Sequence, residues 1–208
     1  MRPKEIDIDP IDVDADGLAA AQAVAAAGNL TLNGALIVGG VFTGDFARQI
    51  SITSDGADNG RTFTLTGTDA DGKTQTEDVT GPNTATVESA KYFKTITSIA
   101  VDDACAGNIS SGTVDEFVTN TIPINSYNSD PATVVIEGIT GTIDVSVDET
   151  FSRLQYTDTI NWFAGPAALT TITADAVDDM SNHASGVRLK CNSYSSGAEL
   201  KMIIRQNR

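Results

Sequence analysis

The octapeptide from Gly67 to Thr74, GTDADGKT, has the spacing of a phosphate-binding loop, G-x-x-x-x-G-K-[ST]. Such a loop binds phosphate when it follows a strand and opens a helix, because the loop amides and the helix N-terminus then face the anion. A strand-like segment, RTFTLTG, leads into the motif, but the residues after it alternate and reach Pro82 without a helical pattern. The sequence therefore predicts a hairpin turn between two threonine-rich strands and no nucleotide site.

Two further patterns resemble parts of metal sites. The segment from Asp12 to Gly17, DVDADG, imitates the start of a calcium loop, but Ala23 stands where such a loop has a bidentate glutamate. A partial, oxygen-rich site there is the alternative to a solvated acidic edge. Asp179 and His183 are four residues apart and would share a face of a helix, but DDMSNHASG is typical of a loop. We therefore expect no metal and no cofactor.

Paired carboxylates are candidates for acid–base catalysis. Neighbouring residues of a strand point to opposite faces, so adjacent acids do not converge on one bond as a glycosidase pair must. His183 is the single histidine, and no G-x-S-x-G elbow accompanies it. The sequence therefore does not predict an enzyme. The adjacent pairs are Glu77–Asp78, Asp102–Asp103, Asp148–Glu149 and Asp178–Asp179.

The composition favours strands. The chain has 208 residues, enough for one large or two small domains, and only 6% of them are aromatic. Glycine and threonine are abundant, and the apolar runs are short, as in proteins built from many strands and turns. Cys105 and Cys191 lie far apart without a zinc pattern, and we expect both thiols to be free and buried.

The charge of the chain bears on which classes of partner it can bind. The formal net charge of −15 disfavours binding to nucleic acid or to anionic membranes. No apolar run is as long as a membrane span. The charge is also uneven, because residues 1–30 are acidic and residues 187–208 are basic. The two ends could therefore pair within a subunit or between subunits, or remain two solvated faces.

The first thirty residues predict an arm and a helix. Apolar residues alternate with acids over residues 1–16, with one interruption at Pro10, which is typical of an extended arm with one apolar edge. We expect this edge to contact a neighbouring subunit. Residues 17–28 are rich in alanine and predict a short helix, capped by Asp16 and ended by Gly28. The apolar residues of the arm are Ile6, Ile8, Ile11 and Val13.

The spacing of the strand-like segments along the chain predicts an all-β fold with two β-sandwich-like domains in tandem. Trp162 and Phe163 are the expected centre of the second core. The predicted organisation is an arm with a short helix over 1–30, a first sandwich over 31–118, a linker over 119–131 that contains two prolines, and a second sandwich over 132–208.

Residues 50–102 carry a resemblance to a known class of proteins. The elements ITSDGADNGRTFTLTGTDADG, TEDVTGPN and KYFKTITSIAVD resemble a module of structural proteins of tailed bacteriophages, and GNLTLNGALIVGGVFT upstream also fits. The second half, with IEGITGTIDVSVDETFSRLQYTDTINW and VRLKCNSYSSGAELKMII, resembles β-sandwich modules of phage heads and tails. The resemblance covers most of residues 28–207 and rests on turn-and-strand patterns.

The resemblance implies an all-β virion protein without catalytic residues. It implies first a capsid decoration (cement) protein, made in the host cytoplasm and bound to the outside of the head. Its partners would be the major capsid protein and copies of itself, with a trimer favoured. The alternatives are a tail, head–tail connector or head-fibre protein, including one that binds a glycan or receptor. A polysaccharide-degrading virion enzyme has the least support, because the chain has one Trp and four Tyr to stack on sugars.

Overall fold

The computed structural model describes residues 3–127, 130–155 and 159–206. Within these residues the secondary structure consists of strands and one short 3-10 turn, Ala167–Leu169, so the all-β prediction is confirmed. The chain forms two compact units. Residues 13–117 make the central unit, and residues 1–12 together with 118–208 make the terminal unit. The names refer to their places in the sequence.

The strands are numbered along the chain. They are β1 (Lys4–Ile8), β2 (Ala19–Ala23), β3 (Gly28–Asn29), β4 (Ile37–Val38), β5 (Val41–Ser54), β6 (Thr62–Thr68), β7 (Thr74–Thr80), β8 (Thr86–Glu88), β9 (Phe93–Val101), β10 (Asn108–Val118), β11 (Ile122–Pro123), β12 (Thr133–Thr140), β13 (Ile143–Thr150), β14 (Phe163–Ala164), β15 (Ala176–Asp179), β16 (Gly186–Tyr194) and β17 (Glu199–Arg205).

The central unit is built on a sheet with the order β10–β5–β9–β6–β7. Strand β6 shows why these residues form it, since Phe63 and Leu65 are fully buried and alternate with half-exposed threonines. Short strands complete the unit: β2 pairs with β10, β3 with β9, and both β4 and β8 with β5. The fully buried side chains of its core include Leu18, Phe42, Ile50, Ile52, Phe63, Leu65, Phe93, Ile96, Ile99 and Ile109.

The terminal unit contains the order β1–β17–β12–β15 and, separately, β13 between β14 and β16. Each of these pairings is antiparallel. The first strand of the chain therefore pairs with the last, and β1 lies at the edge of its sheet, a position compatible with the nearby Pro10. The aliphatic core includes Val134, Ile136, Val145, Val147, Leu189 and Met202, each of them fully buried.

The predicted helix over residues 17–28 is wrong. Ala19–Ala23 forms strand β2, which pairs with β10, and Leu18 and Ala19 are fully buried. Gln22 holds the strand to Thr31, whose amide donates to Oε1 and whose carbonyl accepts from Nε2. An isolated helix of this length is marginal in water, so backbone pairing with β10 and the burial of Leu18 outweigh the helical preference of alanine.

The segment predicted as a linker contains a short strand, and one residue predicted to lie in the second core is exposed. The segment 119–131 contains strand β11, which pairs with β16, and the amide and hydroxyl of Thr119 both bond Leu189. Phe163 is 54% exposed and does not lie in a core, so the prediction that it seeds one is wrong. The aliphatic residues of β12, β13, β16 and β17 fill that core instead, because their alternation buries one face of each strand.

Candidate functional site

The GTDADGKT motif forms a hairpin turn between β6 and β7, as predicted. The two strands pair in register from Thr62 and Thr80 to Thr68 and Thr74. The carboxylate of Asp69 accepts hydrogen bonds from the amides of Asp71 and Lys73, both at 2.9 Å. The loop amides that would face a phosphate therefore bind a carboxylate of the loop itself. A strand follows the motif where a phosphate loop needs a helix, which argues against a nucleotide site.

In three of the four adjacent pairs of carboxylates, the two side chains have separate partners. Glu77 accepts the amides of Ala90 and Lys91 at 2.6 and 2.8 Å, while its neighbour Asp78 accepts the Thr64 hydroxyl at 2.6 Å. These are side chain to backbone and cross-strand contacts that hold the sheet.

The pairs in the terminal unit behave in the same way. Asp148 forms an ion pair with Arg188 at 2.9 Å, whereas Glu149 accepts from both the amide and the hydroxyl of Ser181. Asp178 accepts the amide of Asp179 at 2.8 Å. Charge-assisted bonds to fixed donors position these groups as structural ties.

The residues considered as metal ligands are not brought into one constellation. Asp179 lies at the end of β15 and accepts the Thr133 hydroxyl, while Nδ1 of His183 lies 2.9 Å from the carbonyl oxygen of Ser126. His183 has a positive φ of 68°, so its segment is a loop rather than a helix. Throughout the described ranges, no group of three or more His, Cys, Asp or Glu side chains is placed to hold a metal ion.

The arm residues occupy three different environments. Ile8 is buried to 1% exposure within its own chain, and Ile6 is half-buried. Ile11 and Val13 are 39% and 45% exposed. Lys201 of β17 approaches the carboxylates of the paired arm, so the acidic start and the basic end of the chain pair within one chain. The most exposed apolar side chains of the arm are therefore those of its later part, Ile11 and Val13.

A cleft of about 550 Å³ lies beside the arm in the terminal unit. Its wall includes the point where the register of β12 on β17 shifts between Glu137 and Thr140, and Gly138 there has a positive φ of 68°. The lining makes the cleft strongly negative, which favours cationic groups. Sequence reasoning missed it because its acids come from separate segments. The charged residues that line it are Asp7, Asp9, Glu137, Asp175, Glu199 and Lys201.

Phe151 and Phe163 form an exposed aromatic surface on the terminal unit. Their ring centroids are 5.9 Å apart at an interplanar angle of 62°, and the residues are 47% and 54% exposed. Nearby in sequence, Trp162 is covered by the guanidinium of Arg188, 4.3 Å from the ring centroid. Exposed aromatic rings are the groups that contact apolar faces of partners.

The carboxylate of Asp58 ties together two loops of the central unit. It is 1% exposed and accepts from the Ser54 hydroxyl at 2.6 Å and from the amides of Ala106 and Gly107 at 2.6 and 3.2 Å. Burial raises the pKa of Asp58, but these hydrogen bonds and the charge of Arg61 outweigh it and hold the pKa below its usual value. Asp58 therefore remains an anion and a structural tie.

The two thiols are free, as expected. Cys191 is buried, but Cys105 is half-exposed, so the expectation that both are buried is wrong for Cys105. Burial and the Asp58 carboxylate raise the pKa of the Cys105 thiol, which lowers its thiolate fraction and hence its nucleophilicity. Cys105 is thus poorly suited to be a nucleophile.

No protein-family model matches the chain, and a search of curated proteins found no significantly similar relative. In the part of the chain that the structure describes, no helix is long and apolar enough to cross a membrane.

Proposed function

We propose that this chain is a structural protein of a tailed-bacteriophage virion, and specifically a capsid decoration (cement) protein on the outside of the head. The observation that carries the proposal is the all-β architecture of a chain whose turn-and-strand segments resemble phage structural modules. In this proposal the two units are two β-sandwich-like domains. The partners are the major capsid protein and other copies of this chain, arranged as a trimer.

The hydrogen bonds that the acidic side chains accept support a structural role for the protein. Asp58, Asp69, Glu77 and Glu149 each accept hydrogen bonds from backbone amides of their own chain. Groups held in this way fix loops and strand ends, whereas a reacting carboxylate needs a face open to substrate. These four carboxylates therefore have structural roles, and the proposal includes no catalysis.

The charge supports an external position. A net charge of −15 is unfavourable beside packaged nucleic acid and tolerable on the outer face of a shell. Repeated contacts between identical copies would then stabilise the shell against internal pressure, as symmetric assemblies do.

The burial of the arm residues limits which of them are available for the proposed contacts. Because Ile8 is buried within its own chain, we assign the intermolecular contact to Ile11 and Val13, which remain exposed. Ile6 and Ile8 would take part only if the whole strand β1 exchanged between copies on the β17 edge.

Copy number in purified virions tests the assignment. Quantitative mass spectrometry against the major capsid protein should give on the order of hundreds of copies for a shell-wide decoration protein. About a dozen copies or fewer would place the protein at a vertex or in the tail instead. Absence from purified virions would overturn the virion assignment altogether.

A binding experiment tests the arm. The double variant Ile11→Ser, Val13→Ser should lose oligomerisation and binding to heads that lack this protein, while its thermal unfolding stays close to that of the unmodified chain. Val38→Ser is the matched control, because Val38 is 83% exposed and lies outside the arm. Normal assembly of the double variant would refute the contact.

The exposed aromatic surface favours a second candidate, a glycan- or receptor-binding protein of the head fibre or tail. Phe151 and Phe163 present half-exposed rings that are suited to the apolar face of a sugar. A glycan array tests this candidate. Binding that is lost in Phe163→Ser would favour it over decoration, and the absence of binding to any glycan would remove its support.

A further inference from the structure

The chain contains two Asn–Gly dipeptides, Asn33–Gly34 and Asn59–Gly60. This sequence is chemically labile, because glycine has no side chain to hinder attack by its backbone nitrogen on the preceding amide. Attack requires that the glycine nitrogen is not held in a hydrogen bond and that the asparagine side chain can turn towards it. The structure distinguishes the two dipeptides on both requirements.

Asn33–Gly34 is held on both sides. The Gly34 amide donates to the carbonyl oxygen of Leu18 at 3.1 Å, and Oδ1 of Asn33 accepts the amide of Ala20 at 3.0 Å. Gly34 also packs directly on the backbone, since a Cβ there would lie 2.2 Å from the carbonyl carbon of Gly17. The dipeptide therefore has no room to rearrange in the folded state.

The Asn59–Gly60 dipeptide, in contrast, is exposed to solvent. It lies between Asp58 and Arg61 in a turn closed by the Arg61 amide, which donates to the Asp58 carbonyl oxygen at 2.9 Å. Both residues are exposed, and nothing lies within 4 Å of a Cβ built on Gly60. Among the residues that the structure describes, none binds the Gly60 amide or the Asn59 side chain.

We propose that Asn59 is a site of spontaneous deamidation in the folded protein and that Asn33 is protected. The backbone nitrogen of Gly60 attacks Cγ of Asn59 and forms a C–N bond. The bond from Cγ to the amide nitrogen breaks, and ammonia leaves with the proton from Gly60. Water then opens the cyclic imide at either carbonyl, which leaves aspartate or isoaspartate at position 59.

Deamidation of Asn59 places a new negative charge next to Asp58. A carboxylate at residue 59 adjoins Asp58, the buried anion that ties the loops of the central unit. Isoaspartate also lengthens the main chain by one carbon within the turn that Arg61 closes on Asp58. Conversion therefore loosens this end of the central unit as the protein ages, independently of the virion role proposed above.

Peptide mapping by mass spectrometry tests the proposal on the full chain after incubation in mildly alkaline buffer. We expect Asn59 to convert at least about tenfold faster than Asn33, because the protected dipeptide reacts only from a small locally opened population. In denaturant, the two dipeptides should convert at similar rates. Equal rates in the folded chain, or faster conversion of Asn33, would overturn the proposal.

A substitution at Gly60 tests whether attack by the backbone nitrogen of this residue causes the deamidation of Asn59. Gly60→Ala adds a side chain where the structure has open space, so thermal unfolding should stay unchanged. Conversion of Asn59 should fall severalfold in this variant, while the slow conversion of Asn33 remains the internal control. An unchanged rate at Asn59 would show that Gly60 is not the nucleophile and would refute the proposed step.

Discussion

The phenolic hydroxyl of Tyr194 donates a 2.6 Å hydrogen bond to the carbonyl oxygen of Ile11, 183 residues away in the sequence. Tyr194 ends strand β16 and is 9% exposed, whereas the side chain of Ile11 faces solvent. A second bond, from the Ser196 hydroxyl to Asp12 at 2.9 Å, lies beside it. Together these bonds hold the residues that follow β1 against the end of β16 and the turn before β17. Strand β1 itself pairs with β17.

Tyr194→Phe removes the hydroxyl and keeps the ring. We expect a loss of about 0.5–1.5 kcal/mol in the free energy of unfolding of the terminal unit, because one buried hydrogen bond is lost. Hydrogen exchange of the β1 amides should accelerate as well, and urea unfolding gives the free energy. Tyr127→Phe is the control, since Tyr127 is 96% exposed. Equal effects of the two variants would show that the Tyr194 bond does not hold the arm.

Much of the fold follows from local sequence. The alternation of Phe63 and Leu65 with threonines predicts β6, and the Asp-Gly turn predicts the hairpin that joins it to β7. Alternation repeats every two residues wherever one face of a strand is buried, so it can be recognised without knowledge of the partner strand.

The parts that sequence reasoning missed depend on distant partners. Ala19–Ala23 became a strand because β10 offers it backbone hydrogen bonds, and no local signal shows this. Ile8 is buried because β17, from the other end of the chain, pairs with β1. The acidic cleft likewise needs this pairing before Asp7 and Glu199 share one surface. Long-range pairing is therefore the information that a single sequence lacks.

Arg48 is a buried cation in the central unit. It is 0% exposed and binds both carboxylate oxygens of Asp45, at 2.9 and 3.0 Å. Arg48→Ala would leave the largely buried Asp45 without this partner, and we expect a loss of about 3–5 kcal/mol in the free energy of unfolding. Urea unfolding measures it. The exposed Arg205 provides the control, and Arg205→Ala should change stability by no more than about 0.5 kcal/mol. A similarly small change for Arg48→Ala would contradict the assignment.

The hairpin interpretation of GTDADGKT makes a prediction about Gly72 and Lys73. Gly72 has a positive φ of 81°, so Gly72→Ala should cost about 1 kcal/mol of stability through backbone strain. Lys73→Ala removes the side chain that a phosphate loop needs, and it should not alter the response of the protein to ATP with magnesium. Thermal unfolding with and without the nucleotide measures both effects. A rise in melting temperature on adding nucleotide, lost in Lys73→Ala, would restore the phosphate-loop hypothesis.

The lowered pKa of Asp58 predicts how acid affects the central unit. A carboxyl whose pKa is lower in the folded state than its ordinary value of 3.8 stabilises the fold at pH values above 3.8. That contribution is lost as the pH falls through the folded pKa, because the carboxyl then binds a proton in both states. At neutral pH, Asp58→Asn should therefore lower the stability of the central unit by about 1–3 kcal/mol, since a buried set of hydrogen bonds loses its charged acceptor.

The difference between Asp58→Asn and the unmodified protein should shrink as the pH falls below 3.8, because the lowered carboxyl pKa is the source of the difference. Hydrogen exchange of β6 and β9, measured over a series of pH values, reports on this unit alone. Asp16→Asn serves as the control, since Asp16 is exposed in the same unit. A difference that stayed constant across the acidic range would mean that the Asp58 side chain acts through its shape rather than its charge.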